Sequence, residues 1–417
     1  MTARVRIESI AAGGDGVGRS DGLAVFVPRT APGDVVDVAL EPYGRFARGA
    51  VTSVVEASPS RVPPRCRHYT RDACGGCQLQ HMNYPSQLEA KSTIVRDAMQ
   101  RIGKRDIARA AVEPSPAPWG YRSKLTLALR WTGNRWIAGL HRYDDPNAVF
   151  DLEECPITDD RVLAIWRSIL AASELLPRAR RLRGAVRLTD DRAVFVLEGG
   201  LHWTRARELA DRVAELRSIW WEPTAARRRI VVDRRGGTAQ SPTADEARTP
   251  DASFTQVNPG AAALLQHHVV ARAMAHAPAT LIDAYAGSGS TAIALATQDV
   301  RVTAIELDPA AARFVATQLP IGSRSIVARV EDVIASELPA DVVILNPPRA
   351  GVDARVTAAL GGSLSPTAVI YVSCNPATLA RDVQRLPGYR IASMASFDMF
   401  PQTSHVETVC ELVREAA

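Results

Sequence analysis

From Phe254 onward the chain alternates short apolar runs with Ala- and Leu-rich segments, and this pattern limits the fold more than any other feature. The apolar runs that we take as strands lie at 280–284, 301–305, 341–345, 368–372 and 406–412. The segments between them, such as 258–275 and 290–297, have the length and composition of helices. Strands that are apolar along their whole length are buried on both faces, which requires helices on both sides of a largely parallel sheet. The sequence therefore predicts a doubly wound α/β domain over 251–417.

The first 58 residues have a different pattern, with Val-rich runs separated by Gly- and Pro-containing turns such as Asp21-Gly22. Strands are predicted at 4–10, 23–27, 34–40 and 47–55. The spacing favours a five-stranded barrel of the OB type over residues 1–58, a fold that often binds single-stranded nucleic acid. A barrel without a ligand is the alternative.

Residues 59–250 are predicted to form a central α+β domain that ends in a polar linker over 236–252. A helix is expected at about 86–102. Strand candidates lie at 121–130, 135–140, 184–189, 192–197 and 228–233. The stretch from Tyr121 to Lys124 combines an aromatic ring with two cations, which favours an RNA contact.

The composition fits a globular protein with a mild basic excess. The 417-residue chain has 46% hydrophobic and 23% charged residues, enough for several cores. Its net charge is +5, and arginines cluster at 178–183 and 227–235, which suits phosphate contacts but also a solvated surface. No apolar run approaches the ~20 residues that span a bilayer, and the N-terminus lacks the apolar core of a secretory signal. We therefore expect a cytoplasmic protein without membrane contacts, and we expect a monomer.

A glycine-containing loop, Asp283–Ser290, follows one predicted strand and begins the next helix. Glycines allow a tight turn and close approach of the backbone to a ligand. Glu306, at the end of the following strand, can accept hydrogen bonds from both hydroxyls of a ribose. The loop differs from a dinucleotide fingerprint and lacks a P-loop lysine. This constellation resembles the S-adenosylmethionine-dependent class I methyltransferases, which implies a Rossmann-like domain and S-adenosyl-L-methionine as the cofactor.

A second loop after a strand carries Asn346-Pro347-Pro348-Arg349, in which two prolines restrict the backbone. Amino-group methyltransferases have a similar Asn-Pro-Pro tetrapeptide that ends in an aromatic residue and holds the target nitrogen. Arg349 cannot clamp a base in that way, which disfavours amino methylation.

Two further residues, Cys374 and Glu407, supply a thiol and a carboxylate, and both are expected to follow strands of the same sheet. Carbon 5 of uracil is a poor nucleophile, but a thiolate that adds to carbon 6 makes it reactive toward an activated methyl group. A base must then remove the carbon-5 proton so that the thiol can leave. A buried structural cysteine is the alternative for Cys374, and for Cys410 we prefer it.

Taken together, these segments resemble the RNA 5-methyluridine methyltransferase family. The resemblance rests on Phe254-Thr255-Gln256, the loop at 283–289, Pro347–Gly351, Ser373–Pro376 and the segment Phe400–Glu407. It implies methylation of a uridine in 23S ribosomal RNA or in the transfer-RNA T-loop, with Cys374 as nucleophile and Glu407 as base. It also implies cofactor contacts from Gln256, Tyr285, Glu306 and Asn346. The family usually has Asp where this chain has Asn346, which keeps an acceptor but loses a charge.

Three cysteines, Cys66, Cys74 and Cys77, lie close together in sequence, and Cys155 can supply a fourth ligand. Four thiolates suit either zinc or an iron–sulfur cluster, and spacing alone slightly favours zinc. The surrounding residues resemble the 4Fe-4S segment of the same family, which implies a cluster that staples the central domain. The family resemblance likewise implies that the N-terminal barrel is a TRAM domain.

We consider a 23S ribosomal RNA uridine the preferred substrate and a transfer-RNA uridine the second. An amino-group methyltransferase and a non-catalytic RNA-binding protein remain as alternatives from other classes of function.

Overall fold

The computed structural model describes residues 2–189, 192–224, 228–234 and 256–415. Its contacts divide the chain into two compact units. The first unit comprises Met1–Pro63, His81–Pro116 and Gly260–Ala417, and the second comprises Pro64–Gln80 and Ala117–Pro259. This division differs from the predicted domains at 1–58, 59–250 and 251–417, whose boundaries remain a prediction. The predicted linker, together with Phe254 and Thr255, lies outside the described residues.

The structure has strands and helices throughout both units. The strands are β1 (Thr2–Ile10), β2 (Gly16–Ser20), β3 (Leu23–Val27), β4 (Val35–Pro42), β5 (Phe46–Glu56), β6 (Val112–Glu113), β7 (Lys124–Trp131), β8 (Trp136–Gly139), β9 (Arg181–Thr189), β10 (Arg192–Glu198), β11 (Leu216–Glu222), β12 (Arg229–Asp233), β13 (Thr280–Ala284), β14 (Arg301–Glu306), β15 (Arg324–Val327), β16 (Val342–Leu345), β17 (Ala368–Ser373), β18 (Tyr389–Phe397) and β19 (Glu407–Arg414). The helices are α1 (Arg67–Arg71), α2 (Tyr84–Arg101), α3 (Asp160–Ala171), α4 (Ala206–Arg212), α5 (Pro259–Met274), α6 (Ser290–Ala296), α7 (Pro309–Gln318), α8 (Val330–Glu337), α9 (Ala354–Leu360) and α10 (Pro376–Gln384).

The N-terminal strands of the first unit form a closed barrel in the order β1-β2-β3-β5-β4, which confirms the predicted five-stranded barrel. Alternate residues of these strands point inward, as the period of two in the sequence requires. The barrel core consists of Val5, Ile7, Val25, Val27, Val36, Val38 and Ala47.

The rest of the first unit is an eight-stranded sheet in the order β15-β14-β13-β16-β17-β19-β18-β6. The neighbours from β15 to β17 are parallel, whereas β19 is antiparallel to both β17 and β18. Strands β16 and β17 are buried along their whole length, as predicted for strands covered on both faces. The doubly wound α/β domain is therefore confirmed, and the ends of its strands position the site described below.

The second unit contains a six-stranded sheet in the order β12-β11-β10-β9-β7-β8. Leu125, Leu127 and Leu129 of β7 belong, with apolar residues of α3 and α4, to the hydrophobic core of this unit. Strand β11 was not predicted; its residues from Ser218 to Trp221 are all buried, so the run lacks the alternation that marks a half-exposed strand. Among the described residues, no helix has both the length and the apolar character that a membrane crossing demands.

Candidate active site

The glycine loop of the first unit leaves β13 at the carboxyl edge of the sheet. Tyr285 adopts a left-handed backbone with φ of 63°, an unfavourable conformation for a residue with a Cβ that is tolerated when surrounding contacts fix it. Gly287 and Gly289 follow with φ of 57° and 76°, and Gly289 caps α6. The loop therefore turns sharply and presents backbone N–H groups at the start of a helix, which suits close approach of a ligand.

Glu306 ends β14, the strand that pairs with β13, and its side chain reaches the same loop. One carboxylate oxygen accepts from the Gly287 N–H at 2.8 Å, and the other accepts from the Asp308 N–H at 2.8 Å. The loop and the acid thus meet as the sequence predicted. Contacts of Tyr285 and Glu306 with a cofactor remain a prediction.

Asp283 is a further acid beneath this loop, and it was not among the predicted site residues. It is buried, and burial is the main cause that raises its pKa to about 7. One of its carboxyl oxygens has no hydrogen-bond partner among the described residues. Burial thus penalises the charged form of an acid that lies next to the glycine loop in sequence.

Asn346 follows β16 and is exposed at the same edge, where its backbone N–H donates to the Ala284 carbonyl at 3.2 Å. The sheet therefore brings Tyr285, Glu306 and Asn346 to adjacent strand ends. Gln256, the fourth predicted cofactor residue, belongs to the second unit. Its role also remains a prediction.

Cys374 comes directly after β17, whereas Glu407 is the first residue of β19, so the expectation that Glu407 follows a strand was wrong. The two strands are antiparallel and pair Ser373 with Thr408. Because β19 runs back along β17, the end of one strand meets the start of the other, which brings the thiol and the carboxylate together across 33 residues of sequence.

Three charged or ionisable groups meet at this point: Cys374, Glu407 and Arg349. Burial is the main cause that raises the pKa of Glu407 to about 7, and the Arg349 guanidinium partly opposes it. The pKa of the Cys374 thiol is also raised, first by burial and then by the charge of Glu407, whereas Arg349 lowers it through its charge and a hydrogen bond. Arg349 was considered in the sequence only as a poor base clamp, so its place beside the thiol was missed.

The loop that joins β18 to Glu407 is fixed by two side chains of α2. The side chains of Lys91 and Asp398 are both fully buried, and the Lys91 Nζ lies 2.5 Å from the Asp398 Oδ1. The Lys91 ammonium also donates to the Phe400 carbonyl. One turn earlier, Gln87 donates to the Gln402 side chain at 2.9 Å and accepts from its backbone N–H at 3.0 Å. No local pattern links these residues, since they lie more than 300 positions apart.

In the second unit, the four predicted ligands Cys66, Cys74, Cys77 and Cys155 line one cavity. All four are buried. Thr158 donates to the Cys155 sulfur at 3.2 Å. Among the residues that the structure describes, no group of three or more His, Cys, Asp or Glu has the arrangement of a metal-ion site.

Arg122, which the sequence placed among the RNA contacts, also lines this cavity. Its charge is one of the influences that hold down the pKa of the Cys155 thiol, which burial raises.

Two family models match parts of this chain, and curated relatives and a solved structure are similar to it over most of its length. Residues 316–415 match the family model described as tRNA (Uracil-5-)-methyltransferase, and residues 1–51 match the TRAM domain. An uncharacterized RNA methyltransferase of Gloeobacter violaceus is 33% identical, in an alignment that covers 99% of this chain and 97% of the relative. A 23S rRNA (uracil(1939)-C(5))-methyltransferase of Azoarcus sp. is 30% identical and is matched over 97% of this chain and 98% of its own length.

Among solved structures, the Pyrococcus abyssi tRNA (uracil-54, C5)-methyltransferase, crystallised with S-adenosyl-L-homocysteine, is similar with a TM-score of 0.73. The two chains are 25% identical, and the match covers 98% of this chain and 99% of that one. The fold, the TRAM barrel and the full-length relatives together show that this chain belongs to the family of RNA (uracil-5-)-methyltransferases.

Proposed function

We propose that this protein methylates carbon 5 of a uridine in RNA through a covalent adduct between Cys374 and the uracil ring. The observation that carries the proposal is the meeting of Cys374 and Glu407 at the ends of two paired strands. S-adenosyl-L-methionine, when bound at the glycine loop, supplies an electrophilic methyl group. Glu306 and Tyr285 are proposed to bind it, together with Gln256 and Asn346.

The chemistry of the two groups follows from their charges. The Cys374 thiolate adds to carbon 6 of the uracil, which moves the electrons of the ring double bond onto carbon 5 and the neighbouring carbonyl. Carbon 5 would then take the methyl group as the bond between that methyl and the sulfonium sulfur breaks, which leaves the neutral thioether S-adenosyl-L-homocysteine. Glu407 removes the remaining carbon-5 proton, the ring double bond forms again, and the bond between sulfur and carbon 6 breaks.

The charges around the site act on both groups. Burial and the charge of Glu407 raise the pKa of the Cys374 thiol, and Arg349 opposes this rise, so Arg349 favours the reactive thiolate. The raised pKa of Glu407, about 7, makes this carboxylate a stronger base than an exposed one at neutral pH.

Replacement of Cys374 by Ala separates this route from its alternatives. Carbon-5 methylation should vanish, whereas amino methylation, which needs no thiol, should survive. Persistent formation of 5-methyluridine by the Cys374→Ala protein would contradict the covalent route. Cofactor binding by the wild-type protein without methyl transfer to any RNA would favour the non-catalytic alternative.

We propose 23S ribosomal RNA as the substrate and transfer RNA as the second candidate. The Azoarcus relative is named for a uridine of 23S rRNA and the Pyrococcus abyssi protein for a uridine of tRNA. Mass-spectrometric mapping of 5-methyluridine in both RNA pools, from a strain that lacks this protein, distinguishes them. A site lost from transfer RNA alone would move the assignment, and no lost site in either pool would refute the proposal. We expect the protein to act as a cytoplasmic monomer.

We further propose that the four cysteines of the second unit hold a 4Fe-4S cluster. A buried cavity lined by four thiols fits such a group, because Fe–S clusters are bound by four cysteine thiolates. A single zinc ion, with Zn–S bonds of ≈ 2.3 Å, would need the sulfurs within about 4 Å of one another. The choice of a cluster over zinc rests on the family resemblance of the residues around these cysteines.

Iron, sulfide and zinc should be quantified in protein purified without oxygen. About four iron and four sulfide per chain are expected from a 4Fe-4S cluster. One zinc with no iron would establish the alternative. The methyl transfer needs no electron transfer from the cluster, and the proposed role of the cluster is to stabilise the fold of the second unit.

A further inference from the structure

We infer that Asp382 is a positioning residue, which fixes the loop Pro347–Val352 on α10 and thereby holds Arg349 beside Cys374. Asp382 was not singled out in the sequence, and it lies on the buried side of α10, eight residues after the nucleophile. The inference rests on the proposed function for the role of Cys374. The experiment that tests it measures the reactivity of the Cys374 thiol and needs neither RNA nor cofactor.

The Asp382 carboxylate is fully buried and joins three parts of the site. One oxygen accepts from the Val352 backbone N–H at 2.9 Å and from the Tyr371 hydroxyl at 2.8 Å. The other oxygen accepts from Arg381 at 2.9 Å and from Arg385 at 3.2 Å. A buried carboxylate with this many charge-assisted and neutral hydrogen bonds is costly to disturb, so the loop end at Val352 is held to the helix.

The same helix binds the loop at two earlier points. The Arg349 carbonyl accepts from the Asn375 side-chain amide at 3.1 Å and from the Thr378 hydroxyl at 3.3 Å. Arg381 donates to the Ala350 carbonyl at 2.8 Å. Successive turns of α10 thus hold successive residues of the loop.

Gly351 shows how closely the loop approaches the carboxylate. Its φ of 78° is left-handed, and a Cβ at this position would overlap the Asp382 carboxyl oxygen and the Arg381 guanidinium. The approach of loop to helix therefore depends on both the missing side chain of Gly351 and the partner atoms of Asp382.

The contacts between the loop and α10 fix the backbone of Arg349, whereas its side chain is long and exposed. Its guanidinium can act on the thiol only while the loop keeps that backbone close to Cys374, because the charge effect falls off with distance. Among the described residues, the charged groups that act on the Cys374 thiol are Arg349 from this loop and Glu407 from β19. Loss of the Asp382 contacts should therefore weaken the influence of Arg349 and leave that of Glu407.

The experiment follows the rate at which iodoacetamide alkylates Cys374 as a function of pH, by peptide mass spectrometry on the full-length protein. Cys374 is half-buried and the other five cysteines are buried, so it should react first. The series is made in a Glu407→Gln background, so that titration of this carboxyl does not distort the profile. Loss of a nearby opposite charge shifts a pKa by one unit or more, so Arg349→Gln should slow alkylation about tenfold below the pKa.

Asp382→Asn is expected to shift the profile in the same direction and by a similar factor, and the double variant Asp382→Asn/Arg349→Gln should show no further shift. Asp341→Asn is the matched control. Asp341 also accepts two backbone N–H groups and a hydroxyl, but it lies before β16, at the opposite edge of the sheet, so its profile should equal that of the background.

An Asp382→Asn profile equal to the background, beside a shifted Arg349→Gln profile, would overturn the inference. So would an unshifted Arg349→Gln profile, because Arg349 would then not act on the thiol. If Asp382→Asn does not fold, Tyr371→Phe replaces it in the test, because this change removes one hydrogen bond to Asp382 and keeps the packing. Slower alkylation of Cys374 in the Tyr371→Phe protein would support the inference, and an unchanged rate would overturn it. A protein that shows these shifts but methylates no uridine would refute the proposed function and leave the positioning role intact.

Discussion

Replacement of Glu407 by Gln should stabilise the first unit at alkaline pH while it removes the proposed base. The Glu407 side chain is buried, and its pKa rises from the ordinary 4.5 to about 7 because burial penalises the charged form. A carboxyl whose pKa is higher in the folded state binds more protons when folded, so it supports folding below pH 4.5 and progressively loses that support up to pH 7. Above pH 7 the protein must keep a buried charge.

The size of the effect follows from the shift. A difference of about 2.5 pH units, at about 1.36 kcal/mol each, corresponds to up to about 3 kcal/mol of unfolding free energy. Glutamine has nearly the same shape and no charge. The free energy of unfolding of the variant should therefore exceed that of the wild type by up to about 3 kcal/mol at pH 8. This difference in stability should shrink toward zero at pH 4.5.

The assay must report the first unit specifically. All seven tryptophans lie between residues 119 and 221, in the second unit, so their fluorescence follows that unit. Native-state hydrogen exchange of peptides from β17 and β19, measured against urea at pH 5 and pH 8, follows the strands that carry the site. Glu89→Gln, a change at an exposed position of α2, is the control and should show no pH-dependent difference.

A Glu407→Gln protein that is equally stabilised at both pH values, or destabilised at pH 8, would refute the reasoning. Equal stabilisation would mean that the gain does not come from the charge of Glu407, and destabilisation at pH 8 would mean that the buried carboxylate is better compensated than its raised pKa implies.

Substitutions at Cys374, Glu306, Lys91 and Cys155 test the nucleophile, the cofactor loop, the buried ion pair and the cysteine cavity. Cys374→Ala should form no covalent complex with RNA that contains 5-fluorouridine, whereas wild type should form one that survives denaturing electrophoresis; complexes in both would exclude Cys374 as the nucleophile. Glu306→Ala should weaken S-adenosyl-L-methionine binding about 10- to 100-fold by calorimetry, because it loses charged hydrogen bonds of about 1.5–3 kcal/mol, and unchanged affinity would place the ribose elsewhere. Lys91→Met should lower the unfolding free energy by about 3–5 kcal/mol, because it leaves Asp398 as an unpaired buried charge. The double variant Lys91→Met/Asp398→Leu should recover most of this loss. Full stability of the single variant, measured by hydrogen exchange, would contradict the buried pair. Cys155→Ser should lower the iron and sulfide content of protein purified without oxygen, and wild-type content would remove Cys155 from the ligand set.

Patterns along the chain were enough to predict the two main architectures. The alternation of Val in the first 58 residues predicted the barrel, and the buried runs after Phe254 predicted the parallel sheet. Both are consequences of local periodicity, since a strand exposes alternate residues and a helix-covered strand exposes none. The same logic failed for β11, whose residues from Ser218 to Trp221 are buried without alternation.

The candidate site was predicted as residue types and not as an arrangement. The sequence identified Cys374 and Glu407 from the chemistry that their motifs allow, and the family resemblance added the cofactor residues. It gave no sign that Arg349 lies beside the thiol or that Asp382 anchors its loop. Each of these contacts joins residues on different strands or helices, and local patterns do not specify which strands become neighbours.

Local patterns in the sequence were therefore enough to predict the kinds of element, the family and the groups that can do chemistry. Which of those groups meet depends on the packing of the strands: their order and direction bring Glu407 back to Cys374, and burial raises the pKa of this carboxylate to about 7. Packing also pairs Lys91 with Asp398 across 307 positions of the chain. The difference arises because hydrogen-bond periodicity is local, whereas the distances and solvent exclusion that set charge and reactivity depend on the packing of the whole unit.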